Sequence, residues 1–215
     1  MAMLYALDLR PWQSNGAWRE LLPGLPQARQ RQALSCRFDA DSARAAGAGW
    51  LLQYALVQAG VPAHAQRFTE NPWGKPALAD REAPQFSLSH GGTWAVCAVG
   101  ESPLGVDVEL PRCTMAVARR YFHAQELKGL EALPPQEQRD RLCRLWTGKE
   151  SFVKALGRGL TLPLDSFQIE LHKDSAALHQ TYTDLPYRLH EYALDLCRAA
   201  LCTTESRPPL QRITV

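Results

Sequence analysis

Three short runs of this 215-residue chain carry side chains that could do chemistry together. In Gly105-Val106-Asp107-Val108-Glu109 the alternation of a strand puts Asp107 and Glu109 on one face, while Val106 and Val108 enter the core. Two adjacent carboxylates repel unless a cation or a shared proton lies between them. An all-oxygen pair suits Mg²⁺, which keeps several waters and bridges carboxylates to phosphates; the other reading is a solvent-facing edge with two incidental acids. The second run, Leu142–Leu156, forms a helix whose apolar stripe is Leu142, Leu145, Trp146, Phe152, Val153 and Leu156. At about 100° per residue, Lys149 falls near the middle of that stripe and Glu150 at its edge, with Lys154 one turn further on. Glu150 and Lys154 can form an i,i+4 ion pair, and Lys149 either snorkels or borders a polar cleft.

The third run is Phe86-Ser87-Leu88-Ser89-His90-Gly91-Gly92. His90 closes a strand beside glycines, where backbone and ligand can approach closely. Neighbouring strand residues point to opposite faces, so Ser89 is badly placed to use His90 as its base. The pair reads as phosphate-contacting or as turn-stabilising.

The elements that must position these residues follow from pattern. Leu4–Leu9 opens as a strand, ended by Pro11. A polar stretch from Pro26 carries Arg29, Arg31 and Arg37 into a helix capped by Asp39 or Asp41, which bears Arg44; there Trp50, Leu51, Tyr54 and Val57 recur at helical spacing until Gly60 and Pro62 stop it. Asn71–Pro76 is a loop, and Phe86–His90 with Trp94–Val99 form a hairpin. After a junction at Glu101–Gly105 the order of elements recurs: a strand, helices over about 114–131 and 138–157 split by Pro134-Pro135, and strands over Phe167–Leu171 and Tyr187–Leu201. We therefore expect an α+β fold of two pseudo-symmetric halves, 1–104 and 105–215, each a small antiparallel sheet packed with helices, with the site in the cleft between them.

Composition narrows the function. Hydrophobic residues at 46% supply a core, and a net charge of +2 is too balanced for a chain that coats nucleic acid or an anionic membrane. No apolar run reaches the ~20 residues of a membrane span, and Met1–Arg10 lacks the order of a signal peptide, so a cytoplasmic chain is expected. Six cysteines without a CxxC pair read as free thiols, and no histidine spacing points to zinc. Of the 24 cations 19 are arginine, whose planar fork suits phosphate.

Gly74-Lys75-Pro76, Phe86–His90, Gly105–Glu109 and Trp146-Thr147-Gly148-Lys149-Glu150-Ser151-Phe152-Val153-Lys154 occur in the order and at the spacing of the surfactin-type 4′-phosphopantetheinyl transferases. The chain resembles that family over about residues 74–160. The resemblance implies transfer of the phosphopantetheine arm of coenzyme A to a serine of an apo carrier protein (acyl, peptidyl or aryl), with release of adenosine 3′,5′-bisphosphate. It implies that Asp107, Glu109 and Glu150 hold Mg²⁺, or Mn²⁺, and that Glu150 is the base for the carrier serine. Lys154 and His90 would contact the pyrophosphate with Ser89 beside them; Lys75 and some of Arg31, Arg37 and Arg44 would meet the adenosine and its 3′-phosphate. A monomer is expected, with no nucleic-acid or membrane partner. The segment Arg112–Phe122 would place Met115, Ala118, Arg119 and Phe122 on one helix side, a mixed basic and apolar surface for an acidic carrier helix. A Mg²⁺-dependent phosphohydrolase and a non-catalytic coenzyme A or nucleotide-binding module are the alternatives.

Overall fold

The computed structural model describes residues 1–214. Its first half runs β1 (Met3–Asp8), α1 (Gln27–Leu34), α2 (Asp39–Gln58), β2 (Phe68–Glu70), β3 (Pro76–Leu78), β4 (Gln85–Gly91) and β5 (Trp94–Gly100). Its second runs β6 (Leu104–Glu109), α3 (Met115–Tyr121), α4 (Ala124–Glu131), α5 (Pro135–Leu156), β7 (Gln168–Leu171), β8 (Ala176–His179), β9 (Arg188–Leu194), β10 (Cys197–Thr203) and β11 (Leu210–Ile213). The larger sheets have strand orders β11-β1-β5-β4 and β6-β10-β9-β8-β7, and β2 and β3 make a separate hairpin.

Four layers result, because both faces of each large sheet are covered. In β1 and β5, Tyr5, Leu7, Cys97 and Val99 pack with Leu51, Leu52, Ala55 and Leu56 of α2. The alternate residues Leu4, Ala6, Val96 and Ala98 meet Leu104, Val106, Val108 and Leu201 of the second sheet. On the far face of that sheet Ile169, Leu189 and Cys202 share a core with Leu145, Phe152 and Val153 of α5. Each such Leu or Val withdrawn from water contributes about 1.5–3 kcal/mol. Trp94–Gly100 is buried at every position, which is why it reads as a continuous apolar run rather than an alternating one.

The α+β character and the two-sheet arrangement match expectation, with three differences of physical origin. First, β11 pairs in parallel with β1 and so carries the end of the chain back into the first sheet, which is mixed rather than antiparallel. Second, the helix expected at 114–131 is two, because His123 caps α4 in a reciprocal box with Glu126, and α5 starts at Pro135, whose missing N–H costs nothing in a first turn. Third, α2 is rotated from its expected face: Val57 is exposed, Trp50 and Tyr54 are half-buried and stack on each other, and a small-residue stripe faces the sheet. Asp39 does not cap α2 either; its carboxylate accepts from the Trp18 Nε1 and Gly16 backbone N–H groups and so ties the turn before α1 to the start of α2. Among the described residues no helix is long and apolar enough to cross a membrane.

Candidate active site

The strand and helix carrying the acidic residues lie backbone to backbone. A Cβ on Gly105 would stand 2.1 Å from the Ser151 carbonyl and 2.2 Å from the Ala155 nitrogen; glycine alone permits this contact between β6 and α5. Gly91, at the end of β4, meets β6 as closely, since a Cβ there would lie 2.2 Å from the Val108 carbonyl. These two approaches bring β4, β6 and α5 to one point.

A cavity of about 470 Å³ opens at that point, lined by Ser89 and His90 of β4, Asp107 and Glu109 of β6, and Trp146, Glu150 and Lys154 of α5, with Arg29 and Gln32 of α1 closing it opposite. Asp107 is the most buried of the acids, with 5% of its side chain exposed. Its Oδ1 accepts from the Ser89 hydroxyl at 2.8 Å and the Lys154 ammonium at 2.7 Å, and Lys154 also donates to Ser89 Oγ at 3.1 Å. Its Oδ2 is buried with no hydrogen-bond partner. The carboxylate that Lys154 pairs with is thus Asp107 rather than Glu150.

The electrostatics match the crowding. Burial, then the charge of Asp107, pushes the Glu109 carboxyl up to about 7. Burial and then Asp107 also raise Glu150. His90 is held below the ordinary imidazole value, first by the protein mass around its ring and then by Arg44, Lys154 and Arg29. Acids that resist ionising thus share one cavity with the cations Lys154 and Arg29.

Among the described residues no three His, Cys, Asp or Glu side chains already stand as a metal-holding group. The donor chemistry nevertheless fits a hard divalent cation: three carboxylates line one cavity, and one carboxylate oxygen is buried and unpartnered.

Six expected residues therefore meet: Ser89, His90, Asp107, Glu109, Glu150 and Lys154. Four others do not line this cavity. Arg31 is exposed, and Arg37 is exposed and stacks over Phe38. Arg44 pairs with Asp41 and donates to the Gly92 carbonyl at 3.3 Å, near enough to His90 for its charge to act there. Lys75 is turned to the Leu104 carbonyl at 3.0 Å; burial lowers its pKa to about 8, and it borders a smaller apolar cavity between residues 73–76 and 157–159. Arg29 and Gln32, absent from the expected site, also line a neighbouring cavity of about 700 Å³ with Leu52, Gln53, Phe68 and Thr69. Their i,i+3 spacing on α1 is visible in sequence, but which face of a short polar helix turns inward is not.

Lys149 neither snorkels nor borders the cleft. It is fully buried, paired with Glu126 at 2.9 Å, and donates to the carbonyls of Leu164 at 2.7 Å and Phe167 at 3.0 Å. Glu126 also accepts from the backbone N–H groups of His123 and Ile169, so this pair locks α4 and β7 to α5 one residue before Glu150.

Residues 103–202 match the family model of the 4′-phosphopantetheinyl transferase superfamily. The 4′-phosphopantetheinyl transferase psf-1 of Bacillus pumilus is 30% identical over 207 residues, covering 93% of this chain and 89% of that protein. The 4′-phosphopantetheinyl transferase Sfp of Bacillus subtilis (strain 168) is 41% identical over 109 residues, which are 50% of this chain and about half (49%) of the length of Sfp. Among solved structures, the holo-[acyl-carrier-protein] synthase of Thermotoga maritima aligns with a TM-score of 0.41 at 23% identity, over 49% of this chain and 64% of that one. With a relative 30% identical along nearly its whole length, the chain belongs to the 4′-phosphopantetheinyl transferase family.

Proposed function

We propose that this protein transfers the 4′-phosphopantetheine group of coenzyme A to a serine of an apo carrier protein and releases adenosine 3′,5′-bisphosphate. One observation carries the reading: two carboxylates from β6, a carboxylate and an ammonium from α5, and Ser89-His90 from β4 converge in one cavity. Asp107, Glu109 and Glu150 would hold Mg²⁺, with Mn²⁺ as a substitute. When bound, the ion neutralises charge on the pyrophosphate and lowers the demand on any single base.

The chain's own residues do the rest. Glu150, whose pKa is raised by burial, is the base that takes the proton from the carrier serine hydroxyl as its oxygen forms the new P–O bond. The bond from that phosphorus to the adenosine-side oxygen breaks, and the leaving phosphate keeps the electron pair. Lys154 and Arg29 offset the charge that gathers on the phosphate oxygens, and His90, kept neutral, hydrogen-bonds to them. The neighbouring 700 Å³ cavity, sharing Arg29 and Gln32, is of a size for the nucleoside. Arg44 and Lys75 border the anion side from outside the first cavity. The carrier's acidic helix would dock beside α3. Phe122 is buried there and stacks on Trp146, so the outward face is Arg119, Arg120 and Tyr121. The same reading takes the protein to act as a monomer in the cytoplasm.

Incubation with coenzyme A, Mg²⁺ and an apo carrier protein, followed by intact-mass measurement, tests the proposal. A carrier heavier by one phosphopantetheine on serine is the expected result. Hydrolysed coenzyme A with unmodified carrier would establish a phosphohydrolase, and no turnover would leave a binding module.

A further inference from the structure

Resting on the reading of Asp107, Glu109 and Glu150 as the cation-holding carboxylates, we infer that Lys154 is the resident counter-ion of Asp107, displaced by a divalent cation and thereby freed to meet the anionic co-substrate. The asymmetry of Asp107 carries this. One of its oxygens takes two donors, Ser89 and Lys154, while the other is buried with none. A carboxylate this far from water needs a positive partner. Lys154 is its one ion-pair partner among the described residues.

A hard divalent ion seeks the same oxygens. An ammonium and a doubly charged ion on one carboxylate repel strongly where little water screens them. Lys154 is the mobile member: 31% of its side chain is exposed, and its ammonium sits on a flexible four-carbon stem. It can leave Oδ1 without moving α5, while Ser89 goes on donating there. The released ammonium remains in the cavity with His90 and Arg29, on the side suited to phosphate. Cation and anion then bind cooperatively, because each favours the conformation in which Lys154 has left Asp107.

The test measures Mn²⁺ affinity without coenzyme A, by paramagnetic resonance of the free ion, on the native protein and on Lys154→Met, Lys154→Arg and Asp107→Asn. Lys154→Met is expected to bind Mn²⁺ at least about tenfold more tightly than native, and Lys154→Arg within about threefold of native. Asp107→Asn is expected to bind more weakly. If Lys154→Met binds no more tightly while Asp107→Asn loses the ion, the counter-ion inference is overturned and the metal reading stands. If Asp107→Asn binds like native, or no form binds, the metal reading falls and the inference with it. Should Lys154→Met not fold, the ¹⁵N signal of the Lys154 ammonium serves instead: it is expected to shift on addition of Mg²⁺ alone, and an unmoved signal overturns the inference.

Discussion

At the scale of single residues the site is a charge problem solved by pairing. Glu109 shows its sign. Its folded pKa of about 7 lies above its ordinary value of 4.5, so without metal the folded state binds the extra proton between those values. The stability linked to that proton is complete below about pH 4.5 and is lost as pH rises through about 7. A cation that needs the ionised carboxylate reverses this. Melting curves with Mg²⁺ and with chelator should therefore differ little at pH 5.5 and increasingly above pH 7; an equal Mg²⁺-induced shift at both ends would remove Glu109 from the proposed set of metal ligands. Asp107→Asn preserves shape and removes the charge, so kcat should drop by at least about 10²-fold with unchanged circular dichroism. A variant that is inactive only because it is unfolded would argue against a chemical role.

At the scale of elements, the contact between β6 and α5 sets the spacing of the acids. Gly105→Ala puts a methyl group into the backbone of α5 at Ser151 and Ala155. Relief requires the helix to move, at a cost of about 1–3 kcal/mol, and the movement carries Glu150 and Lys154 away from Asp107. The expected signature is a melting temperature lower by roughly 2–10 °C and a loss of activity that persists well below that temperature. Normal turnover in the folded variant would show that the spacing tolerates change. The short helix α3 makes a different prediction, since Arg119 reaches Glu131 at 3.4 Å and Arg120 lies over the Tyr121 ring, both outside the cavity. Charges at a rim mainly speed encounter. Arg119→Glu with Arg120→Glu should raise the carrier KM and flatten its salt dependence while coenzyme A affinity holds. Weakened coenzyme A binding with an unmoved carrier KM would place docking elsewhere.

At the scale of the whole molecule, the two halves share their middle. The inner faces of both sheets form one core, and β11 returns from the second half to pair with β1. A division at residue 104 is thus a division of sequence that cuts through a common core. We expect a single calorimetric transition, its van't Hoff and calorimetric enthalpies equal. Two resolved transitions would mean that the halves fold independently.

Read alone, the sequence determined what is local and periodic. Alternation put Asp107 and Glu109 on one face of a strand, helical spacing put Glu150 and Lys154 one turn apart, and the motifs around them carried the family. Pro135, His123 and Asp195 show where local reading failed. Proline opens a helix as readily as it ends one, a histidine cap is uncommon, and Asp195 takes a positive φ of 52° to turn β9 into β10. Tertiary structure alone decided partners. Lys149 could stay at the centre of an apolar stripe because Glu126, 23 positions earlier, comes to it in the core. Lys154 chose Asp107, 47 positions away, over Glu150 on its own helix, because the missing side chain at Gly105 lets β6 lie against α5. Arg29 rather than Arg31 faces the cavity because α1 packs on α2 in that orientation, a face that so short and polar a helix does not reveal by apolar spacing. Spacing along a chain fixes directions within one element, and the energy of burying a charge is settled only when a second element arrives with its counter-charge.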